Sequence, residues 1–438
     1  MKNVRIAIDI GASGGRHLAR YIENGKEIIE EVYKFKNYMT NNPKYNLVWD
    51  YQRLVDNVFE GLKIAFKKYD KVLSIGLDTW GADYVLLNEN KEVIEPVYAY
   101  RNPRTEQVIN QVHDLISFDK LYEISGSQFQ PFTTIYQLFH DKITGKLKKA
   151  KHFLMIPEYL YYKLTGVILH EFTNATTSGM IDLNTNDFSK EILNTLGYTK
   201  ELFKKPEVPG LFNLLSDKVA ALLGGKTKVF LVATHDTASA VEGVPIDMNR
   251  AYVSSGTWSL LGMKINNPIL TKKAKNANFS HEGGIGYIRF QKNIMGLWIT
   301  QCLKNELGYK DYLQMADEAS FSNFCETIDV NDKSFLSPFS MKENIIQHLK
   351  KNNKNLPQTN GDILNVVYHS LAKSYEEAMN ELEIITNNKI DTLTIFGGGA
   401  QNKYFNEIIK KYTARKLFIY PIEATAIGNL KVQEKYDE

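Results

Sequence analysis

The chain has 438 residues, more than a single hydrophobic core holds, because cores stop growing at about 250–300 residues. Basic side chains number 53 and acidic ones 50, for a net charge of +3. This balance excludes the strong field that recruits nucleic acid or an anionic membrane surface. With 43% hydrophobic residues, the composition predicts two folded domains and a small-molecule site in the cleft between them.

Cysteine content and the N-terminal pattern indicate the compartment. The two cysteines, Cys302 and Cys325, are too few for a disulfide framework or a cysteine-built metal site and are typical of a reducing environment. The N-terminus has no signal-peptide pattern, and no apolar run approaches the roughly 20 residues that cross a membrane. We therefore expect a soluble cytoplasmic protein.

The N-terminal segment has the pattern of a three-stranded meander. Its apolar runs are residues 4–10, 17–22 and 28–35. Gly14-Gly15 precedes the second run. Asn24-Gly25, between the second run and the third, is the signal of a tight hairpin.

Helices and strands alternate in the next part of the chain. Apolar residues recur at helical spacing over residues 51–68, and residues 72–77 predict a buried strand. Residues 84–87 and 93–98 have the pattern of a further hairpin. Mostly helices and irregular connections are expected over residues 104–223. This alternation predicts an α/β protein.

The rest of the chain contains a weak internal repeat. An apolar strand at residues 228–233 leads into a small-residue helix, with Thr234 or Asp236 as its N-cap. Residues 252–261 then repeat the strand, Gly-Thr turn and strand of the opening meander. The remaining predicted elements are a helix at 360–385, a strand at 392–396 and a helix at 402–412. The repeat predicts two similar domains, with a boundary near residues 243–245.

Three glycine-containing segments are candidates for ligand contact, and two of them are turns that offer backbone N–H groups to an anion. Residues 9–16 read Asp-Ile-Gly-Ala-Ser-Gly-Gly-Arg, and residues 254–258 read Ser-Ser-Gly-Thr-Trp. Each is either a phosphate cradle or a plain β-turn, and the presence of both favours a nucleotide site. Neither is a Walker loop, because no Gly-Lys-Ser/Thr follows. The three glycines at residues 397–399 suit either close packing or contact with an adenine and its ribose.

Six motifs resemble the FGGY carbohydrate kinases. In chain order they are Asp-Ile-Gly-Ala-Ser, Asp-Thr-Trp-Gly, His-Asp-Thr-Ala-Ser, Ser-Gly-Thr-Trp-Ser, Asn-Ile-Met-Gly-Leu-Trp and Gly-Gly-Gly-Ala-Gln-Asn. The resemblance runs from Ile6 to Asn429 and is most specific at residues 235–239 and 293–298. It implies duplicated α/β domains of the actin-like (ribonuclease H-like) ATPase fold around a nucleotide cleft. The sugar and the catalytic base are then expected in residues 1–243, and the nucleotide in residues 244–438.

The resemblance also implies an activity, which is transfer of phosphate from ATP, with Mg²⁺, to a small sugar. Within the family the motifs are most similar to members that phosphorylate the C1 hydroxyl of L-rhamnulose, giving L-rhamnulose 1-phosphate in rhamnose catabolism. Other ketoses, such as L-fuculose or L-xylulose, stay open. So does a non-catalytic sugar or nucleotide sensor, and an actin-like filament subunit or chaperone-type ATPase is a third reading. The expected partners are the sugar and MgATP, bound by a monomer or homodimer.

Asp236 is the residue expected to act as the general base. Phosphoryl transfer to a hydroxyl needs one carboxylate within hydrogen-bond reach of the nucleophile, and the resemblance assigns this role to Asp236. The alternative is an aspartate that only caps a helix. For sugar contacts the resemblance implies Gly81, Trp80, Asp83, His235, Thr237 and Asn293. An indole offers a flat apolar wall and the polar groups can bond hydroxyls, although Trp80 also suits the core.

For the nucleotide, the resemblance assigns the first turn to the phosphates, through Ala12, Ser13, Gly14, Gly15 and Arg16. It assigns Thr257 to the second phosphate turn, and Gln301 and Gly399 to the base and ribose. Asp9 is the expected anchor for Mg²⁺ through water, since this ion prefers one or two carboxylates plus phosphate oxygens. Arg101 and Arg104 resemble a family segment that lies near the sugar cleft. Either of them could simply brace its loop, so neither is counted as a catalytic residue.

Three features depart from the family pattern. Gly14-Gly15 stands where one Ser before Gly is expected, which leaves the backbone cradle intact. His281 stands where Asn is usual, close to the sugar-binding segment, and this puts the sugar's identity in doubt. Residues 423–429 resemble the start of a helix after which family members continue further, so we expect a shortened second domain that is less stable or pairs with another subunit.

Overall fold

The computed structural model describes residues 2–248, 250–336, 338–420 and 423–437. The chain divides into two compact units. The first unit contains Met1–Pro245, Asn266–Arg289 and Thr425–Glu438, and the second contains Ile246–Ile265 and Phe290–Ala424. Each unit is described separately below.

The described residues form short and long strands in both units. They are β1 Asn3–Gly11, β2 Gly14–Glu23, β3 Lys26–Lys36, β4 Thr40–Asn42, β5 Asn46–Val48, β6 Lys71–Thr79, β7 Tyr84–Leu87, β8 His152–Met155, β9 Ile181–Asp182, β10 Asp187–Phe188, β11 Phe212–Leu214, β12 Lys228–Phe230, β13 Ala251–Ser255, β14 Trp258–Ile265, β15 Ser280–Gly283, β16 Ile288–Met295, β17 Thr392–Phe396 and β18 Lys416–Ile419.

Helices connect and cover these strands. They are α1 Tyr51–Lys68, α2 Ile109–Leu115, α3 Phe118–Ser125, α4 Thr134–Ile143, α5 Ile156–Thr165, α6 Phe172–Ala175, α7 Lys190–Leu196, α8 Asp217–Leu223, α9 Asp236–Gly243, α10 Lys272–Asn276, α11 Trp298–Glu306, α12 Tyr312–Ser320, α13 Met341–Lys351, α14 Asn360–Thr386, α15 Lys403–Thr413 and α16 Ala424–Lys435.

The first unit is built on a six-stranded sheet in the order β11-β12-β6-β1-β2-β3. Strands β1, β2 and β3 pair antiparallel, which confirms the predicted meander, and β6 pairs parallel with β1. Helix α1 has the bounds that the periodicity predicts. Its N-cap, Asp50, accepts a hydrogen bond from the Arg53 N–H at 2.9 Å, and its apolar side chains Leu54, Val55, Val58, Leu62 and Ala65 are buried in the core.

The second unit repeats this arrangement. Its strands follow the order β16-β14-β13-β17-β18 in one sheet. The first pair, β13 and β14, is antiparallel, and β13 pairs parallel with β17 as β1 does with β6. The predicted strand at residues 392–396 and the helices at 360–385 and 402–412 are confirmed by β17, α14 and α15. The internal repeat in the sequence therefore corresponds to two sheets with the same central strand order.

Three local predictions differ from the structure. The hairpin of residues 84–87 with 93–98 forms only beside its turn, where Leu87 and Val93 form an antiparallel bridge and the Ile94 N–H donates to Leu86 O at 2.8 Å. Strand β7 pairs along its length with β8. Pro96 has no N–H to donate and interrupts the second run. The strand expected over residues 228–233 ends at Phe230. At α9 the N-cap residue is His235, without a side-chain cap, so neither Thr234 nor Asp236 caps the helix.

Candidate functional site

Two aspartates of the first unit stand at paired positions on neighbouring parallel strands. Asp9 lies on β1 and Asp78 on β6, and the two residues are partners in the strand register. Burial raises the pKa of Asp9, the Arg16 charge opposes this rise and the charge of Asp236 adds to it. Burial likewise holds the pKa of Asp78 well above its usual range, and the charges of Asp9 and Asp236 add to the effect. The first unit thus gathers three carboxylates that interact electrostatically.

Arg16 supplies positive charge to this cluster. It is the cross-strand partner of Asp9 on β2, and its Nη2 and Nε lie 3.1 and 3.2 Å from Asp9 Oδ2. The predicted phosphate ligand and the predicted magnesium anchor are therefore hydrogen-bonded to each other. A guanidinium so placed has donors for a carboxylate and for phosphate oxygens at once.

Asp78 was not among the site residues chosen from the sequence. It is fully buried, its Oδ2 accepts a hydrogen bond from Asn429 Nδ2 at 2.7 Å, and its Oδ1 has no hydrogen-bond partner in the described structure. The sequence did contain a signal for this residue, because Asp78 follows the apolar run of β6 and directly precedes Thr-Trp-Gly. Buried carboxylates with an unsatisfied oxygen are rare unless a ligand or ion completes them.

Helix α16 reaches this cluster because two glycines permit close approach. A Cβ at Gly76 on β6 would overlap Asn429 Oδ1 and lie 2.7 Å from Gln433 Nε2. A Cβ at Gly428 would overlap the Ser239 carbonyl oxygen on α9. The end of the described chain therefore packs against the strand that carries Asp78 and against the helix that begins with Asp236.

Asp236 is the first residue of α9, and its side chain is 31% exposed. Its Oδ1 accepts hydrogen bonds from the Thr237 N–H at 2.5 Å and from Thr237 Oγ1 at 3.1 Å. His235 Nε2 lies 3.4 Å from the same oxygen. Three of the predicted residues are thus brought together, and one carboxylate oxygen is committed to protein donors. Oδ2 has no hydrogen-bond partner among the described residues.

Trp80 and Asp83 form a buried pair in the first unit. Asp83 Oδ2 accepts hydrogen bonds from the indole N–H groups of Trp49 at 2.6 Å and Trp80 at 3.0 Å, and from the Tyr100 N–H at 3.1 Å. The centroids of the two indoles are 4.4 Å apart. Asp83 therefore fixes the Trp80 ring, and its own oxygens are occupied by protein donors. Beside them, Gly81 has no room for a side chain, because a Cβ would lie 2.8 Å from Thr177 Cγ2.

The first glycine-containing turn joins β1 to β2 through Ala12 and Ser13. Asn37 holds its carbonyl groups, since its N–H lies 3.2 Å from Ser13 O and its Nδ2 lies 2.9 Å from Gly11 O. Both acceptors of the turn are thus engaged, which lowers the repulsion that an incoming anion would meet. Gly15 has a packing reason, because a Cβ there would overlap the Phe35 ring, and at Gly14 a Cβ would lie 3.2 Å from Phe35 O.

In the second unit the structure brings together Thr257, Gln301 and Gly399. Gln301 Nε2 donates to Thr257 Oγ1 at 3.3 Å. A Cβ at Gly399 would overlap Ser255 Oγ in the turn between β13 and β14. Gly397 has φ +86° and also abuts Ser255, so close packing accounts for these two glycines, whereas a Cβ at Gly398 would meet nothing within 4 Å.

Comparison with known proteins fixes the family. The model of the FGGY family of carbohydrate kinases matches its N-terminal domain to residues 4–243 and its C-terminal domain to residues 251–434. The chain belongs to this family. The expected α/β fold with two similar domains is thereby confirmed.

Several curated relatives of this FGGY kinase carry one name. A rhamnulokinase of Oceanobacillus iheyensis is 39% identical over 99% of this chain and 93% of its own length. A rhamnulokinase of Bacillus subtilis is 38% identical over 98% of this chain and 89% of its own length. Among solved structures, a xylulose kinase from Lactobacillus acidophilus has a TM-score of 0.81 with 16% identity, over 99% of this chain and 89% of the other. That likeness concerns the fold.

Two predicted features of the FGGY kinase lie elsewhere. Asn293 is on β16 in the second unit, partly buried. His281 is fully buried in the first unit, where its Nε2 accepts a hydrogen bond from the Ile269 N–H at 2.9 Å and its Nδ1 lies 3.0 Å from Gly126 O. Burial lowers the pKa of His281 to about 4. Its two ring nitrogens contact backbone groups and its ring packs edge-on against Tyr122, so this departure from the family pattern has a structural explanation.

Two further properties concern the described residues as a whole. They contain no cluster of three or more His, Cys, Asp or Glu side chains arranged to hold a metal ion. No helix formed by them is long and apolar enough to cross a membrane. Two residues that the sequence reasoning missed, Glu282 and Arg289, lie next to His235. Their proximity depends on β15 and β16 and leaves no local signal in the sequence.

Proposed function

We propose that this FGGY kinase transfers the γ-phosphate of ATP to the C1 hydroxyl of L-rhamnulose, giving L-rhamnulose 1-phosphate in rhamnose catabolism. The observation that carries this proposal is the name shared by the relatives. Rhamnulokinases from several organisms are 35–39% identical to the chain over 98–99% of its length. The retained carboxylate at Asp236 supports turnover over a sensor, because a pure binder needs no base beside the hydroxyl.

Asp236 is proposed to accept the proton of the attacking hydroxyl at Oδ2. Its Oδ1 is committed to Thr237, while Oδ2 has no partner in the described structure. The C1 oxygen then forms a bond to the γ-phosphorus as the bond to the β,γ-bridging oxygen breaks, and ADP leaves. A carboxylate within hydrogen-bond reach is sufficient, since phosphoryl transfer depends mainly on positioning and charge stabilisation.

Two groups of residues are assigned to the nucleotide. The amides of Ala12 to Arg16 are assigned to the phosphates, with the Arg16 guanidinium supplying charge-assisted donors. Thr257, Gln301 and Gly399 are assigned to the second turn, the base and the ribose. The hydrogen bond from Gln301 to Thr257, and the packing of Gly399 against Ser255 of the same turn, support treating them as one subsite.

Mg²⁺ fits the oxygen donors of the first unit. Asp9 is proposed as its anchor through water. Asp78 is proposed as the second carboxylate, because it is the register partner of Asp9 on the neighbouring strand and its Oδ1 lacks a partner in the described structure. One or two carboxylates with phosphate oxygens are what this ion prefers. When bound, it neutralises charge on the β- and γ-phosphates.

The sugar is proposed to contact Gly81, Trp80, His235, Thr237 and Asn293. Asp83 acts with them by holding the Trp80 ring through its hydrogen bond. The indole then offers its face to the apolar side of a deoxy sugar.

ADP release tests this proposal. Purified protein with MgATP is given L-rhamnulose, L-fuculose, L-xylulose, D-xylulose or glycerol. We expect strong stimulation by L-rhamnulose alone. Stimulation by another ketose keeps the mechanism and changes the substrate, whereas folded protein without stimulation by any sugar contradicts the kinase assignment.

A further inference from the structure

Arg289 lies at the start of β16 and is completely buried. Its Nε donates to the Gly283 carbonyl oxygen at 2.9 Å. Its Nη2 lies 3.2 Å from Glu282 Oε2 and 3.0 Å from His235 Nδ1. A guanidinium removed from water is costly unless it is paired and hydrogen-bonded. These three contacts pair Nε and Nη2, while Nη1 has no hydrogen-bond partner among the described residues.

The contact with His235 fixes the position of the imidazole proton. A guanidinium remains protonated and can only donate, so His235 Nδ1 must accept from Arg289 Nη2. The proton of the neutral ring is then on Nε2. Glu282 Oε2 also lies 3.2 Å from Nδ1 and could accept from the opposite tautomer. That tautomer would, however, replace the hydrogen bond from Arg289 by two N–H donors set against each other at 3.0 Å.

His235 Nε2 in turn faces the proposed base, at 3.4 Å from Asp236 Oδ1. With its proton there, the ring places an N–H at ion-pair distance from the oxygen that Thr237 already bonds, instead of setting a nitrogen lone pair against it. These contacts are all to Oδ1, which leaves Oδ2 for the hydroxyl. A small misplacement of a reacting group can cost about 100-fold in rate, so this orientation matters for catalysis.

We propose that Arg289 is a positioning residue for phosphoryl transfer, which sets the tautomer of His235 and through it the orientation of Asp236. Glu282 balances the buried charge of the guanidinium. This inference rests on the proposed function only in taking Asp236 as the base. A merely structural buried ion pair would make the same contacts to Glu282 and Gly283 but would leave the His235 proton and the turnover number unaffected when altered.

The test joins a spectroscopic measurement to kinetics. Protein labelled with ¹⁵N-histidine, with the His235 signal assigned by its loss in His235→Gln, reports which ring nitrogen carries the proton. We expect Nε2 in the wild type and a mixture of tautomers in Arg289→Lys, which keeps the charge and loses the planar fork. The kcat of Arg289→Lys should fall by about 100-fold, with the KM for MgATP unchanged.

Arg5→Lys is the matched control, because Arg5 is a partly buried arginine of the same unit whose Nη1 bonds Asp437 at 2.6 Å and Ser74 at 2.9 Å. It should lower Tm without changing the His235 tautomer or kcat. A wild-type proton on Nδ1, or wild-type kcat in Arg289→Lys, overturns the inference, and the wild-type spectrum decides alone if Arg289→Lys does not fold. Failure of the base assignment is distinguishable, because it would appear as turnover by Asp236→Asn.

Discussion

Asp9 and Asp78 face the same electrostatic problem, because they are register partners on parallel strands, Asp78 is fully buried and the side chain of Asp9 is only 14% exposed. Only Asp9 has a cationic partner, Arg16. Asp78 has one amide donor, Asn429. The carboxylate cluster therefore lowers the stability of the protein without ligand, as is common at sites that bind a cation.

Asp78→Asn is expected to stabilise the protein without ligands and to impair turnover. The folded-state pKa of Asp78 lies above its ordinary value of 3.8. The protonated carboxyl therefore costs the folded protein nothing below pH 3.8, and the free energy of unfolding falls as the pH rises and the buried group must ionise. The variant, always neutral, should gain stability over the wild type above about pH 4, by about 1.4 kcal/mol for each pKa unit removed. Denaturant unfolding at pH 4 and pH 8 measures this.

Activity and metal dependence are measured on the same variant. We expect a higher Mg²⁺ concentration for half-maximal rate, because one carboxylate of the proposed site is neutralised. Asp391→Asn, at an exposed aspartate, is the control and should change neither property. Equal stability of Asp78→Asn and wild type at both pH values would contradict the strained-cluster interpretation.

Asp236→Asn should abolish turnover and retain sugar binding. General base catalysis is worth about 10²–10⁴-fold, and an amide cannot take the hydroxyl proton. The amide oxygen can still accept from the Thr237 N–H, so the start of α9 should be preserved. The rate of ADP formation and calorimetric titration with L-rhamnulose measure the two effects. Loss of both together would instead indicate that Asp236 has a structural role.

The sequence predicted those parts of the site that are encoded locally. Asp236, His235 and Thr237 are adjacent in the chain, and Asp9 and Arg16 flank one turn, so their proximity follows from short segments. The meander, α1 and the repeat were predicted for the same reason, since periodicity and turn residues act over a few positions.

What the sequence could not predict depends on long-range pairing. Strand β7 had two possible partners of similar pattern, and the nearer one contains Pro96. Asp78 meets Asn429 only because α16 returns to the first unit. Arg289 reaches His235 through the pairing of elements far apart in the chain. No local pattern encodes these contacts.

His281→Asn should flatten the pH dependence of stability. The pKa of buried His281 is lowered from 6.5 to about 4, so the unfolded chain binds more protons between these values and the wild type loses stability as the pH falls from about 6.5 to about 4. The loss from this group is about 3 kcal/mol. An asparagine does not ionise and avoids this penalty, and its amide can still donate to Gly126 O in place of Nδ1.

Denaturant unfolding at pH 8, where the ring is neutral in both states, provides the reference for the same measurement at pH 5. The relative kcat/KM values for different ketoses should not change, because His281 bonds backbone groups. An unaltered pH dependence, or a changed preference among sugars, would contradict the structural explanation for this residue.

Gly399→Ala should weaken nucleotide use, and Gly398→Ala is its matched control. A Cβ at Gly399 would overlap Ser255 Oγ and lie 3.1 Å from Leu297 Cδ1, whereas a Cβ at Gly398 meets nothing within 4 Å. Overpacking of this kind costs about 1–3 kcal/mol. Gly399→Ala should therefore lose that stability and displace the turn that carries Thr257.

Kinetics with MgATP varied at saturating sugar then separate packing from ligand contact. For Gly399→Ala the KM for MgATP should rise while the KM for sugar stays the same, because the displaced turn belongs to the proposed nucleotide subsite. Gly398→Ala should unfold at the wild-type denaturant concentration, so any rise in its KM for MgATP would come from contact with the nucleotide itself. If Gly399→Ala has wild-type stability and kinetics, Ser255 can move aside at no cost in free energy. Packing of this turn would then not explain why residue 399 is glycine.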